Sequence, residues 1–506
     1  MDNKFSTLTL KYLGIDTYKD PVIYMRSDCY ICQAEGFKAP ARVEVFLNGH
    51  SLIATLNTVE SNLLHHDEAS LSHYAWEFLQ AKEGDTISIS HPKHLESISY
   101  IHSKLYGNEL NEKQMHAIIE DVVTGQLSDI HIAMFLASTT GNRLNHQEVL
   151  SLTQSMVETG EKIVWPNNRM IVDKHCVGGL PGNRTTLIVV PIVAAFGLTI
   201  PKTSSRAITS PAGSADTMEI FAPVNLDIPA MRKVVEQENG CIIWGGSVAL
   251  SPADDLLIGI EKTMDLDSEG QMVASILSKK IAAGTTHLVI DMPVGPTAKV
   301  RSLVSAEYIK KLLEDIAKEF SIQTRVIFTD GIEPVGRGIG PALEAKDVWA
   351  VLSNDANAPT DLRDRALTLA GHLLEFSPDV KEGQGKKIAT EILNSKKALH
   401  KFIAICKAQG GLYEIPEARY QRPISAKKAG KIISINNRHI AHVAKLAGAP
   451  NAPAAGVELL VKLNSFVEKG QSLFVIHAEH QGELEYALAF LEQRHDIFEI
   501  EEYTTK

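Results

Sequence analysis

Asp173-Lys174-His175-Cys176-Val177-Gly178-Gly179-Leu180-Pro181-Gly182-Asn183-Arg184-Thr185-Thr186 is the stretch on which the fold turns. A short apolar run, Met170 to Asp173, leads into it, and a long one, Thr185 to Ile200, begins at its end. Strand, glycine-rich turn and buried helix in that order predict one unit of an α/β sheet. The long run is broken by Pro191 and Gly197 and falls short of the roughly 20 residues that a membrane span requires, so it is expected to be a buried helix. Glycines at such a turn let backbone N–H groups approach an oxyanion. The helix N-terminus adds partial positive charge, and Lys174 with Thr185 or Thr186 can complete an anion cradle. A nucleotide-triphosphate loop would need Gly-Lys-Ser/Thr, whereas Gly182-Asn183-Arg184-Thr185 stands here. The glycines could alternatively serve only a tight turn with close helix packing.

Working outward, Leu288 to Met292 and Val326 to Asp330 read as further strands, each ending at a polar or glycine-containing turn. Residues 166–250 and 285–420 are therefore expected to form a large α/β mixed-sheet domain. The interval 251–284 reads as helices that pack back on an earlier helical layer at 93–165. In that layer Asn111 can cap a helix with apolar face Met115, Ile118, Ile119 and Val122, Ser128 can cap the next, and Asn145 with Glu148 resembles a capping box for a third over 147–158. Residues 1–88 show short β-like stretches (Leu8 to Tyr12, Ala41 to Leu47, Ser51 to Val59, Thr86 to Ser90) and predict a β-rich N-terminal domain. Residues 421–506 revert to strands with one late helix, a C-terminal α+β domain.

A chain of 506 residues exceeds what one core supports, which agrees with a multidomain α/β protein. An apolar content of 44% and a charged content of 22% argue against disorder. The net charge of −11, without a Lys/Arg block, argues against nucleic-acid or anionic-membrane partners, so an anionic substrate needs a local positive site. The first ten residues lack the pattern of a signal peptide, and five scattered cysteines fit a reducing cytoplasm. Cys29 and Cys32 form a C-x-x-C without a second pair at zinc spacing; ordinary thiols and no metal are expected.

Three further segments carry chemistry. Ser204-Ser205-Arg206-Ala207-Ile208-Thr209-Ser210-Pro211-Ala212-Gly213-Ser214-Ala215-Asp216 surrounds one arginine with hydroxyls, a donor set suited to phosphate. Ser275 and Lys279 lie four apart on one face of a helix expected at 271–283, with Ser268 as its cap. Pro293-Val294-Gly295-Pro296-Thr297-Ala298-Lys299 follows a strand end, where α/β sheets place ligand contacts.

The order and spacing of these four segments resemble those of the thymidine phosphorylase / pyrimidine-nucleoside phosphorylase family, most closely its long branch, which includes AMP phosphorylase. The likeness runs through nearly the whole chain. The resemblance implies phosphorolysis of an N-glycosidic bond by inorganic phosphate, with a nucleoside or nucleoside monophosphate as the other substrate, no cofactor, and a homo-oligomer that is at least a dimer. It implies phosphate contacts at Lys174, Cys176, Gly179, Thr186, Ser204 and Ser214. Substrate contacts fall on Ser205, Arg206, Ala207, Ile208, Thr209, Ser210, Ser275, Lys279 and Lys299, and His175 falls beside sugar and base. Asp267 corresponds to the proton donor of the AMP phosphorylase pattern, with His175 as the alternative acid. Glu261 stands where thymidine enzymes place a base-contact arginine, and Cys176 where their phosphate-site serine is usual, which counts against thymine specificity; Glu261, Asp267 and Lys299 favour the AMP-phosphorylase-like branch over a strict thymidine phosphorylase. A nucleotide-binding protein without phosphorolysis is the competing class, disfavoured by the missing Gly-Lys-Ser/Thr and magnesium carboxylate.

Overall fold

The computed structural model describes residues 7–18, 20–166, 169–207, 210–264, 266, 268–494 and 496–502. It divides into two compact units, Met1–Tyr106 with Glu120–Phe135, and Gly107–Ile119 with Leu136–Lys506.

The first unit holds a closed six-stranded barrel. Its strands are β1 (Thr7–Leu10), β2 (Val22–Arg26), β3 (Arg42–Leu47), β4 (His50–Val59), β5 (Glu68–Leu71) and β6 (Thr86–Ser90), in the order β1-β5-β2-β4-β3-β6. Alternate residues such as Leu8, Leu10, Val43, Val45, Ile87 and Ile89 fill its core, as a period of two requires. Two strands, β2 and β5, add to the four stretches read from the sequence. Cys29 and Cys32 lie in this core, where the Cys32 N–H donates to Cys29 Sγ at 3.3 Å.

In the second unit, parallel strands form the platform for the site. They are β7 (Val172–Cys176), β8 (Ile200–Ser204), β9 (Gly240–Trp244), β10 (His287–Val294) and β11 (Gln323–Asp330). β10 lies between β7 and β11, and β8 pairs with β9. A parallel bridge between Ile171 and Thr199, with the Val172 N–H on Thr199 O at 2.9 Å, joins the two ladders. Every pairing among these five strands is parallel, so the sheet that carries the site is parallel where a mixed one was expected. The reason is local: each strand runs into a crossover helix, and helices on both faces leave no exposed side for antiparallel hairpins. The helix Thr186–Phe196 (TLIVVPIVAAF) is apolar around its whole circumference and buried from Thr186 to Ala194. It ends at Gly197, whose left-handed φ of 110° caps it; the apolar run therefore stops short of Ile200, which begins β8.

The helix His146–Glu158 carries the expected capping box, with Asn145 and Glu148 reciprocally bonded. Asn111 and Gln114 bond each other's backbone in the same way at 3.0 Å, ahead of the helix Glu112–Val123. The helices Pro252–Met264 and Glu269–Ala282 return to the earlier segment: the Ser268 hydroxyl donates to Thr139 O at 3.0 Å, and Gly270 packs on Leu144 and Val149. Ser268 thus occupies the cap position of the second helix without capping it, because its hydroxyl is spent on Thr139.

The C-terminal segment supplies β13 (Tyr420–Ser425), β14 (Gly430–Ile435), β15 (Gly456–Leu459), β16 (Phe466–Val467), β17 (Ser472–Ala478) and β18 (Phe498–Glu501). The two-residue strand β12 (Gly338–Ile339) pairs with β15 and so completes the sheet β12-β15-β17-β13. No helix among the described residues is long and apolar enough to cross a membrane.

Candidate active site

Three of the residues singled out by the sequence, Lys174, His175 and Cys176, are the last three of β7 rather than part of the loop after it. A parallel sheet gathers its strand ends on one edge, and ligands bind in the crevice beyond that edge. Lys174 is 1% exposed, and its Nζ donates to Thr185 Oγ1 at 2.7 Å, immediately before the helix that starts at Thr186. Strand end and helix start are thereby tied together across the glycine turn, in which Gly178, Gly179 and Gly182 all have positive φ.

The charge around β7 is the main feature of the site. Burial first, then Lys280, Lys202, Lys279 and Lys174 in turn, push the His175 imidazole well below its ordinary value. Four lysines from three elements, β7, β8 and the helix Glu269–Ala282, thus act on one ring, which stays neutral. Two carboxylates answer them. Asp173, 1% exposed, is 2.7 Å from Lys280 and 3.6 Å from Lys202. Asp254, also 1% exposed, accepts from Lys279 Nζ at 2.6 Å. Burial pushes the Lys202 ammonium well below its ordinary value, and the attraction of Asp173 only partly offsets this. Even with Lys202 disposed to give up its proton, Lys174, Lys279 and Lys280 outnumber Asp173 and Asp254 at this strand end, which makes a place for an anion.

Ser275 and Lys279 meet as their spacing implied, with Lys279 Nζ on Ser275 Oγ at 3.2 Å. Ser204 is the last residue of β8, and its buried hydroxyl has no protein partner, an orphan group that a ligand oxygen would satisfy. Cys176 Sγ accepts from Asn183 Nδ2 at 3.2 Å, and that amide also donates to Asp291 at 2.9 Å. Burial, then the nearby Asp291 carboxylate, push the Cys176 thiol up to about 12, so it remains protonated. Thr186 is buried.

The serine-rich segment is organised by buried charge. Arg184 donates through Nε to Glu344, through Nη1 to Ser214 Oγ at 3.3 Å and through Nη2 to Ala212 O at 2.7 Å. Thr217 Oγ1 also donates to Glu344, at 3.0 Å. Burial raises the Glu344 carboxyl, and Arg184 opposes that rise. Asp216 accepts from the Ala207 N–H at 2.6 Å and the Gly213 N–H at 2.7 Å, which closes the loop. A Cβ on Gly213 would collide with Ser205 O, so the tight return requires glycine there. Arg206 is engaged by Glu219 at 2.9 Å and stacks over the Trp244 ring at 5.1 Å. Ser205 is exposed, and the Ser210 hydroxyl donates to Ala212 O at 2.8 Å. Ile208, Thr209 and Asp267 lie outside the described residues.

The glycine turn and the Pro293–Lys299 segment, far apart in sequence, touch: a Cβ on Gly179 would run into the Lys299 backbone N, and Lys299 itself is exposed. Sequence reasoning did not single out Asp173, Arg184, Lys202, Asp254, Lys280 or Glu344 as site residues. Each finds its charged partner 25 to 160 residues away in sequence, so no local spacing marks it.

Residues 98–160 match the helical bundle domain of the glycosyl transferase family, and residues 168–399 its a/b domain. Residues 431–497 match the pyrimidine nucleoside phosphorylase C-terminal domain. A protein of Legionella pneumophila (strain Paris) named "Putative thymidine phosphorylase" is 59% identical over 490 residues, covering 97% of this chain and 95% of its own length. Similarly named proteins of Polaromonas sp. (strain JS666 / ATCC BAA-500) and Hahella chejuensis (strain KCTC 2396) are each 54% identical, covering 96% and 98% of this chain and 94% and 98% of their own lengths. The chain therefore belongs to the thymidine/pyrimidine-nucleoside phosphorylase family and is a pentosyltransferase. The structure of anthranilate phosphoribosyltransferase from Thermus thermophilus shares the fold at 16% identity, with a TM-score of 0.51 over 61% of this chain and 99% of that one.

Proposed function

We propose that this enzyme cleaves the N-glycosidic bond of a nucleoside or nucleoside 5′-monophosphate with inorganic phosphate. It would release the free base and a pentose 1-phosphate or ribose 1,5-bisphosphate. The observation that carries this reading is the excess of lysine at the end of β7, where Lys174, Lys202, Lys279 and Lys280 all act on a neutral His175. Phosphate held there, with Ser204 as a further donor, would attack C1′ while the base departs from the opposite face. The transition state carries oxocarbenium character, so an anion fixed below C1′ stabilises the developing positive charge and is at the same time the nucleophile.

The departing base needs a proton. A histidine kept neutral by burial and lysines is a poor source of one near pH 7, so the proposal gives the acid role to Asp267, whose carboxyl would have to be raised by burial to hold a proton there, and leaves His175 to orient sugar and base. Ser275 and Lys279, held by Asp254, would contact the base. An exposed Lys299 beside the glycine turn suits a 5′-phosphate, and with Glu261 it supports the AMP-phosphorylase-like branch. A strict thymidine phosphorylase is the second reading, favoured by the names that the relatives carry. The domain boundaries read from the sequence, a homo-oligomer of at least two chains and a cytoplasmic location complete the proposal.

The test is base release, followed by chromatography, from AMP, CMP, UMP, thymidine and uridine with and without phosphate. Release from nucleotides alone supports the AMP-phosphorylase-like reading, and release from thymidine or uridine supports a pyrimidine-nucleoside phosphorylase, the strict thymidine enzyme if uridine is spared. No release from any substrate sinks both. Asp267→Asn should lower turnover while sparing substrate binding; wild-type turnover would move the acid role elsewhere.

A further inference from the structure

The C-terminal segment grips the site's loops at two points. Asn437 opens the helix Asn437–Leu446 and is 1% exposed. Its side-chain amide donates to Thr297 Oγ1 at 2.9 Å, Gly331 O at 3.1 Å and Ile332 O at 3.3 Å. Thr297 belongs to the loop that carries Lys299. That loop closes on itself through a bridge between Val294 and Val300, and its Gly295 packs so tightly on Gly331 that a Cβ there would collide with the Gly331 carbonyl. Its far side meets the glycine turn at Gly179.

The second grip is Lys462, whose Nζ donates to Pro334 O at 3.0 Å, Gly336 O at 2.7 Å and Asp361 Oδ2 at 2.7 Å. Beside it the Leu463 N–H donates to Glu333 at 2.8 Å. The segment so held reaches the glycine turn directly: the Val335 N–H donates to Pro181 O at 3.1 Å, and a Cβ on Gly182 would strike Val335 O.

We infer that Asn437 and Lys462 are positioning residues, which hold from the C-terminal segment both loops that flank the glycine turn and thereby set substrate affinity. The inference rests on the reading that these loops hold phosphate and the pentosyl substrate. The physical need is plain. Gly178, Gly179 and Gly182 sit at positive φ and gain little rigidity from side chains of their own, so the cradle must be fixed from outside. A loop left loose must be ordered by the ligand, and that entropy is taken from binding.

The test uses the full-length enzyme with Asn437→Ala, Asn437→Asp, Lys462→Met and Lys462→Arg. Hydrogen–deuterium exchange is read over 177–183, 293–300 and 331–337, alongside KM and kcat. The first three variants should exchange faster in those stretches, with the rest of the chain unchanged. Their KM for phosphate and for the co-substrate should rise on the order of tenfold, with a smaller change in kcat. Lys462→Arg should restore both readouts. Wild-type exchange in those stretches, or a fall in kcat at unchanged KM, overturns the inference. Should the Asn437 variants unfold altogether, Lys462→Met decides, since that side chain is 34% exposed and its loss leaves no buried hole. Absence of phosphorolysis in the wild-type enzyme would count against the functional reading, whereas the exchange data judge the loop-holding role separately.

Discussion

Replacing Lys174 with methionine keeps an unbranched chain of similar length in a site that is 1% exposed and removes one ammonium from the strand ends. Two consequences separate. The hydrogen-bond partner that is lost, Thr185 Oγ1, retains Asn183 Oδ1 at 3.5 Å, so no polar atom is left bare. Four lysines act on His175 while Asp173 and Asp254 supply two carboxylates, so deleting one ammonium also relieves repulsion. The melting temperature should therefore hold or rise. Phosphate binding should suffer instead, because a hydrogen bond to a charged group contributes about 1.5–3 kcal/mol. At about 1.4 kcal/mol per decade this is a rise in phosphate KM of roughly 10- to 150-fold. The assay is base release against phosphate concentration, paired with thermal unfolding of both proteins. An unchanged phosphate KM with undiminished turnover would refute the placement of phosphate at β7, and a large fall in melting temperature would show Lys174 to be structural.

Other perturbations test neighbouring parts of the account. Cys176→Ser keeps an acceptor for Asn183 and replaces a thiol, held protonated by a value pushed up to about 12, with a stronger donor. Phosphate KM should fall or stay level, and a marked rise would remove Cys176 from the phosphate contacts. Gly179→Ala places a Cβ into the Lys299 backbone at a φ of 81°, so it should cost about 1–3 kcal/mol in local stability and most of the activity; near-wild-type kinetics would show that the two loops need not touch. Glu344→Gln strips the counter-charge from a buried Arg184 and should destabilise the protein by about 3–5 kcal/mol, read in urea denaturation. Acid should destabilise the fold as well. The folded-state value of His175 is depressed below the ordinary 6.5, so unfolded chains take up a proton that the folded chain refuses. Stability is then held above about pH 6.5 and lost as pH falls below it; a His175→Gln variant with the same acid sensitivity as wild type would contradict this.

What the sequence disclosed followed the range of each signal. The glycine turn, the capping boxes at Asn111 and Asn145, and the Ser275–Lys279 pair are local patterns, legible because the residues that act together lie within one turn or loop. β8 and β9 passed unnoticed because IPKTS and GCIIW are short and adjoin apolar helices, so no change of period marks them. The buried charges were illegible for a different reason. Lys202, Lys280 and Asp173 come from a strand, a helix and another strand, and only the packed sheet makes one cluster of them. Arg184 was quoted as part of the glycine motif, but its partner Glu344 lies 160 residues away, a distance at which no spacing rule operates. The parallel pairing of the sheet is likewise a property of the crossovers, not of any strand taken alone.

The measurement that tests the central claim most directly is phosphorus NMR of the reaction mixture, with AMP or thymidine and inorganic phosphate supplied to the wild-type enzyme. Attack by phosphate held at the β7 lysines predicts a new pentose 1-phosphate resonance that grows in step with free base and, at phosphate below KM, grows far more slowly with Lys174→Met. Base release with no such resonance, or release at the same rate without phosphate, would make water the nucleophile and contradict the account.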